Sequence, residues 1–152
     1  MVATKYTSFM GDALKLADAA IAVGEVPVGA VVVRNGKIIG QGHNRTRIDH
    51  DPTAHAEIVA IREATRFLGN DRLEDCDLWV TLEPCTMCAG AIAHARIRRL
   101  YYSASDAKGG AVDSGVRFFE SPTCHHKPDI YSGMDEERSG KLLLDFFRNR
   151  RD

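Results

Sequence analysis

Apolar positions in the first third of the chain change from a helical to a strand-like spacing. A recurrence of apolar residues at helical intervals between Phe9 and Ala20 predicts a first helix over residues 5–23. Residues 28–42 contain two β-branched runs on either side of Asn35-Gly36. This dipeptide supplies the positive φ angles of a type I′ turn, so the segment is predicted to be a β-hairpin.

The middle of the chain predicts two helices and two strands. Residues 53–68 show a helical pattern that ends at Gly69-Asn70. The apolar face predicted for this helix carries Ile58, Ile61, Thr65 and Leu68. Residues 77–82 and 97–104 are predicted strands, joined by a helix from Pro84 to about residue 95. A strand, helix and strand in succession favour a parallel pair with a right-handed crossover.

The last third of the chain has a weaker pattern. Residues 106–115 are typical of a loop, and residues 115–119 ("GVRFF") indicate a short strand. A final helix is predicted over residues 134–150, with Leu143, Phe146 and Phe147 facing inward. Together these elements predict an α/β fold: a mixed sheet that begins with an antiparallel hairpin, between two helical layers (α/β/α).

Length and composition are those of one ordinary globular domain, residues 1–152. The chain is 44% hydrophobic and 27% charged, and it has no repeat or linker-like segment. Charged residues interrupt the first thirty positions, which argues against a signal peptide. The longest apolar run, residues 26–33, is far shorter than the ~18 residues expected of a membrane span. We therefore predict a cytoplasmic protein.

Charge alone does not indicate a nucleic-acid partner. The net charge is −1 and the isoelectric point is about 6.6. Residues 138–151 carry a local excess of positive charge. Such an excess is more often the solvated face of a helix than a binding surface.

The four cysteines point to metal binding or catalysis rather than to disulfides, because no secretory signal is evident. Cys85 and Cys88 are three residues apart, which suits a metal, a redox pair or simple packing. Adding His55 gives the nitrogen and sulfur ligands that Zn²⁺ prefers. Cys76 has the surroundings of a structural cysteine, and the sequence leaves Cys124 unassigned.

The sequence contains no convincing fourth ligand, and a zinc ion with three protein ligands keeps one position open for water. His55 and Glu57 are two residues apart, so they share a site only at the end of their helix. We therefore predict that two helix N-termini converge on the metal, where their partial positive charge favours thiolates. Two thiolates neutralise the charge of the ion, so a carboxylate is needed to take the proton of water, and Glu57 supplies it.

The order His55-Ala-Glu57, then Pro84-Cys85-x-x-Cys88, resembles the signature of the zinc-dependent nucleobase deaminases. Further segments, among them "EVPVGAVVV", "GHNR", "DAKGGA" and "LLLDFFRNRR", resemble the bacterial tRNA-specific adenosine deaminases within the cytidine and deoxycytidylate deaminase superfamily. They cover most of residues 25–151.

This resemblance implies a cytidine-deaminase-like fold with a five-stranded sheet, one zinc ion per chain and a homodimer. It implies that the substrate is a tRNA anticodon stem-loop, with conversion of the wobble adenosine of an arginine tRNA to inosine. A water activated by zinc would attack C6 of adenine, and Glu57 would carry its proton to the ring and then to ammonia. The substrate contacts implied by the resemblance are Asn44 to the base, Asp106 to the RNA backbone, and Phe147 and Arg150 to neighbouring nucleotides.

Two other functions fit part of the sequence. Ser105 stands where many relatives carry a basic residue, and the chain has no lysine-rich tail after Asp152. Both departures weaken attraction to RNA and keep open a deaminase of free guanine or cytosine. The second alternative is a non-catalytic zinc protein, in which Cys124 closes the site. His125 and His126 are candidates for RNA contacts or for solvated loop residues.

Overall fold

The protein folds as a mixed β-sheet covered by helices, as the sequence predicts. The structure is a computed structural model and describes residues 7–149. Within these residues it contains four α-helices, five strands of one sheet and a short 3₁₀ helix. In chain order the elements are α1 (Met10–Ala22), β1 (Gly29–Arg34), β2 (Lys37–His43), α2 (Ala56–Leu68), β3 (Cys76–Leu82), α3 (Thr86–Ala95), β4 (Arg99–Ala104), the 3₁₀ helix (Phe118–Glu120), β5 (Asp129–Ser132) and α4 (Glu136–Asn149).

The strand order is β2-β1-β3-β4-β5, with β1 antiparallel to both neighbours and β3, β4 and β5 parallel. The predicted hairpin is confirmed: Asn35 and Gly36 have φ angles of 51° and 74°, as a type I′ turn requires. The predicted parallel pair is confirmed as β3 and β4, joined through α3.

The prediction of a strand at residues 115–119 is wrong. Residues 118–120 form the 3₁₀ helix, where Phe119 is buried and the Phe118 N–H donates to the carbonyl of Ala111. The fifth strand is instead Asp129–Ser132, at the edge of the sheet. An edge strand of four largely exposed residues carries little alternation of apolar and polar positions, so its sequence gave no signal.

The buried face of α2 also differs from the predicted one. Ala56, Ala60 and Ala64 are fully buried, whereas Ile58 and Ile61 are only partly buried. The reason is the close approach of α2 to β2: a Cβ placed at Gly40 would lie 2.3 Å from the carbonyl oxygen of Ala60. Small residues on both elements permit this contact, and larger side chains are excluded from it.

The ends of the chain show two further differences. The first helix begins at Met10 rather than at residue 5; residues 1–6 lie outside the described part. In α4, Phe146 is buried and Leu143 partly buried, as predicted. The prediction that Phe147 faces inward is wrong: the residue is 52% exposed. Successive residues of a helix are about 100° apart, so Phe146 and Phe147 cannot share one narrow buried face.

Helices cover both faces of the sheet. On one face, α1 packs its buried Met10 and Leu14 against Val31 and Trp79. On the other face, α2 and α3 pack against Val32, Val80 and further apolar residues of the sheet. In the described part of the chain, no helix has the length and apolar character needed to cross a membrane.

Candidate active site

The candidate site lies where α2 and α3 begin. His55 is the N-cap of α2 and Cys85 is the N-cap of α3, both with extended backbone. The predicted convergence of two helix N-termini is therefore confirmed. Pro84 was predicted to open the third helix, but it precedes the cap and α3 starts at Thr86. Cys88 follows in the first turn of α3 and is fully buried.

The spacing of the three predicted ligands fits a tetrahedral zinc ion. His55 Nδ1 is 3.6 Å from Cys85 Sγ and 3.5 Å from Cys88 Sγ. The three ligand atoms all lie within 4.8 Å of one another. A tetrahedral angle with Zn–S of about 2.3 Å and Zn–N of about 2.0 Å predicts an N–S separation of about 3.5 Å. The donors are thus placed to hold the ion through Nδ1 of the histidine.

Among residues 7–149, His55, Cys85 and Cys88 form the one cluster of potential metal ligands, so neither remaining cysteine supplies a fourth ligand. Cys124 donates from its thiol to the carbonyl of His126 at 3.1 Å. Cys76 is fully buried in β3, and burial raises its pKa to about 11, so the thiol stays protonated. An ion held by three protein atoms retains an open position.

Hydrogen bonding shifts the pKa values of the two thiols in opposite directions. The Cys88 thiol donates to Cys85, and this bond, followed by one from His55, lowers the pKa of Cys85 to about 4. The same bond, together with burial, raises the pKa of Cys88. The bond to Cys85 also raises the pKa of His55. Protons held within this cluster are those that a bound zinc ion replaces.

Glu57 is a buried carboxyl group beside these ligands. It lies in the first turn of α2 and is 4% exposed. Burial raises the pKa of Glu57 to about 7. A carboxyl group shielded from solvent beside a cluster of potential metal ligands has the surroundings typical of a functional group rather than of a structural ion pair.

A cavity of about 280 Å³ opens beside the cluster. Two of the predicted substrate contacts, Asn44 and Asp106, lie in its wall. Phe147 does not belong to its lining, and Arg150 lies outside the described residues. The full lining is Val26, Val28, Asn44, His55, Glu57, Leu82, Glu83, Cys85, Asp106 and Gly109.

Sequence reasoning missed two buried glutamates that hold the loops around this cavity. Glu25 is 1% exposed and accepts hydrogen bonds from the N–H groups of Arg47 and Ile48. Glu83 is 2% exposed and lines the cavity itself. Each is a single acidic residue between apolar neighbours, in "GEVP" and "LEPC". A charge that interrupts an apolar segment is the sequence feature that could have identified them.

Several other residues singled out in the sequence have partners away from the cavity. His126 shares a hydrogen bond of 2.6 Å with the carbonyl of Ile97, and His125 accepts one from Arg96 through its carbonyl. Lys141 pairs with Asp145 of its own helix at 2.7 Å. Neither histidine belongs to the lining of the cavity, and a contact of either one with RNA stays a prediction.

Comparison with known proteins places the geometry in a family. Residues 3–104 match the family described as cytidine and deoxycytidylate deaminase zinc-binding region. A protein of Agrobacterium fabrum named tRNA-specific adenosine deaminase is 59% identical over 145 residues, 95% of each chain.

Solved structures give the same grouping. A structure from studies of A-to-I editing by tRNA:A34 deaminases at the wobble position of transfer RNA has a TM-score of 0.88 and 60% identity, over 89% of this chain and 98% of that one. A structure of guanine deaminase from Nitrosomonas europaea has a TM-score of 0.78 and 26% identity, over 90% and 81%. The chain therefore belongs to the zinc-binding cytidine and deoxycytidylate deaminase family and, within it, groups with the tRNA-specific adenosine deaminases.

Proposed function

We propose that this protein catalyses the hydrolytic deamination of adenosine to inosine at the wobble position of an arginine tRNA. The observation that carries the proposal is the buried Glu57 beside the His55, Cys85 and Cys88 cluster, in the wall of a cavity large enough for ligand. The extent of identity to proteins named tRNA-specific adenosine deaminase supports the choice of substrate.

The reaction adds one water to the adenine ring and releases one ammonia. His55, Cys85 and Cys88 would hold a zinc ion, which would supply Lewis-acid activation of the water. Glu57 would take one proton from the water and pass it to a ring nitrogen next to C6. It would then take the second proton, from the hydroxyl group now on C6, and deliver it to the amino group, which leaves as ammonia. Its burial keeps the carboxyl group away from bulk solvent while the proton is held.

The walls of the cavity suit a purine that has left its stack. Val26, Val28 and Leu82 provide apolar surface for the faces of the ring. The side-chain amide of Asn44 offers both a donor and an acceptor to the edge of the base. Asp106 lies in the cavity wall and contacts the RNA backbone, and the exposed side chain of Phe147 is available to stack on a neighbouring base. Arg150, which is outside the described residues, is proposed as a further contact to the RNA.

The proposal includes a homodimer of single-domain chains in the cytoplasm. The dimer is supported by the resemblance to the family and by exposed apolar side chains on α2 and α3, such as Phe67 at 65% and Met87 at 37% exposure. Light scattering coupled to size-exclusion chromatography measures its mass directly. A monomer at micromolar concentration contradicts the dimer and leaves the chemistry unaffected.

The competing function is deamination of free guanine, because a guanine deaminase shares the fold at 26% identity. The decisive experiment incubates zinc-loaded protein with an anticodon stem-loop that has adenosine at the wobble position, and separately with free guanine, cytosine and adenine. Inosine is read by reverse transcription as a change from A to G. We expect conversion of the stem-loop, with a rate that falls steeply as salt increases. Turnover of a free base with no RNA conversion contradicts the proposal.

A further inference from the structure

Glu83 is a buried charge that the chemistry proposed above does not use. It follows the last residue of β3, lies two positions before Cys85 and is 2% exposed. A buried carboxylate is costly unless hydrogen-bond donors satisfy it. The identity of its donors therefore shows what the charge does for the fold.

Within the described part of the chain, the hydrogen-bond donors to the Glu83 carboxylate come from residues 106–114. Oε1 accepts from the Asp106 N–H at 3.0 Å and from the Ser114 hydroxyl at 2.9 Å. Oε2 accepts from the N–H groups of Val112, Asp113 and Ser114 at 3.0, 2.9 and 2.9 Å. One side chain thus holds both ends of a segment whose first residue, Asp106, lies in the cavity wall.

The segment is shaped closely around this carboxylate. A Cβ at Gly110 would lie 2.5 Å from Glu83 Cδ and 2.5 Å from the carbonyl oxygen of Asp106. Asp106 in turn accepts from the N–H groups of Lys108 and Gly109 at 3.1 and 3.0 Å. These bonds make the segment a closed loop, with the Glu83 carboxylate as its centre.

We propose that Glu83 is a positioning residue, which fixes residues 106–114 around its carboxylate and so sets Asp106 at the rim of the cavity for the RNA. The inference rests on the deaminase function proposed above. It predicts that loss of the charge weakens binding of the stem-loop, and that zinc binding and the chemical step are left largely intact.

Glu83→Gln tests this with little change in size. The amide nitrogen cannot accept, so it must face N–H groups wherever it is placed. At Oε2 it would meet three N–H groups, and at Oε1 it would meet the Asp106 N–H together with a hydroxyl that can rotate. The amide nitrogen is therefore expected at the Oε1 position, where only one N–H group opposes it. In that orientation the hydrogen bond from the Asp106 N–H is lost. We expect KM for the stem-loop to rise about tenfold, which corresponds to the loss of one to two hydrogen bonds. We expect kcat and the zinc content to be nearly unchanged.

Asp77→Asn is the matched control. It makes the same chemical change near the start of β3, where Asp77 pairs with Arg98 at 3.0 Å and Arg99 at 3.6 Å, far along the strand from Glu83. We expect it to lower stability without altering KM. An equal rise of KM in both variants, a loss of zinc in Glu83→Gln, or a fall in kcat at constant KM overturns the proposal.

Hydrogen exchange provides a readout without substrate. In Glu83→Gln, peptides covering residues 105–114 should exchange faster, and those of α2 should not.

Ser114→Ala removes one donor and keeps the charge, so it should raise KM by a smaller factor. This variant also tests the proposal if Glu83→Gln does not fold. The double variant Glu83→Gln with Asp106→Ala should bind no more weakly than the worse single variant; additive losses overturn the inference. If the wild type converts no RNA, the proposed function fails, while exchange still decides whether Glu83 holds the loop.

Discussion

His55 and Cys85 occupy equivalent positions, each as the N-cap of its helix, with Nδ1 and Sγ 3.6 Å apart. Neither side chain makes a capping hydrogen bond, but both lie at helix N-termini, where the unpaired N–H groups of the first turn carry partial positive charge. A thiolate is stabilised there, and the metal-binding geometry is built from two helix starts rather than from one flexible loop.

Measuring the zinc content of variants should distinguish the three ligands from the remaining cysteines. His55→Ala and Cys88→Ala should lose zinc and unfold at a lower temperature, since an ion bound at about 1,000 times its Kd adds about 4 kcal/mol to stability. Cys124→Ala is the matched control and should retain one zinc per chain, because its thiol contacts the His126 carbonyl instead. Loss of zinc from Cys124→Ala would show that the site is closed by a fourth ligand.

Glu57→Gln should preserve zinc and fold while lowering kcat by on the order of 10²-fold or more, since the amide cannot carry the proton. Glu63→Gln, an exposed change on the same helix, should behave as wild type in the stem-loop assay. Near-normal kcat in Glu57→Gln would remove this residue from proton transfer.

The space around each glycine predicts opposite effects of two Gly→Ala changes, one where α2 packs on β2 and one in α4. Gly40→Ala should lower the free energy of unfolding by about 1–3 kcal/mol or more, because the new methyl group would lie 2.3 Å from the carbonyl oxygen of Ala60. Gly140→Ala, within α4 and with open space around its Cβ, should raise it by about 0.5–1 kcal/mol. Denaturant titration measures both, and an unchanged midpoint for Gly40→Ala would contradict the packing.

Cys76 should contribute to loss of stability in alkali. Its pKa is about 11 in the fold against 9.0 ordinarily, so above pH 9 the unfolded chain releases the proton first and is favoured. The contribution is complete below pH 9 and is lost as pH rises toward 11. Over this range the unfolding free energy of wild type should fall more steeply than that of Cys76→Ala, by up to about 1.4 kcal/mol per pH unit. Parallel profiles would contradict this.

The local chemistry of the site was readable in the sequence because its parts are close along the chain. His55 with Glu57, and Cys85 with Cys88, are pairs within one helical turn, so their spacing alone predicted helix starts and a zinc ion. The hairpin was equally predictable, since Asn35-Gly36 determines the turn by its own backbone preference.

Only the tertiary structure decided which surfaces are buried and which distant groups meet. The buried face of α2 is set by Gly40 of another element, and β5 exists because a neighbouring strand pairs with it. Glu83 finds its donors 23 to 31 residues further along the chain. Spacing within a segment carries no information about such partners, because burial and hydrogen bonding depend on what the rest of the fold brings against each residue.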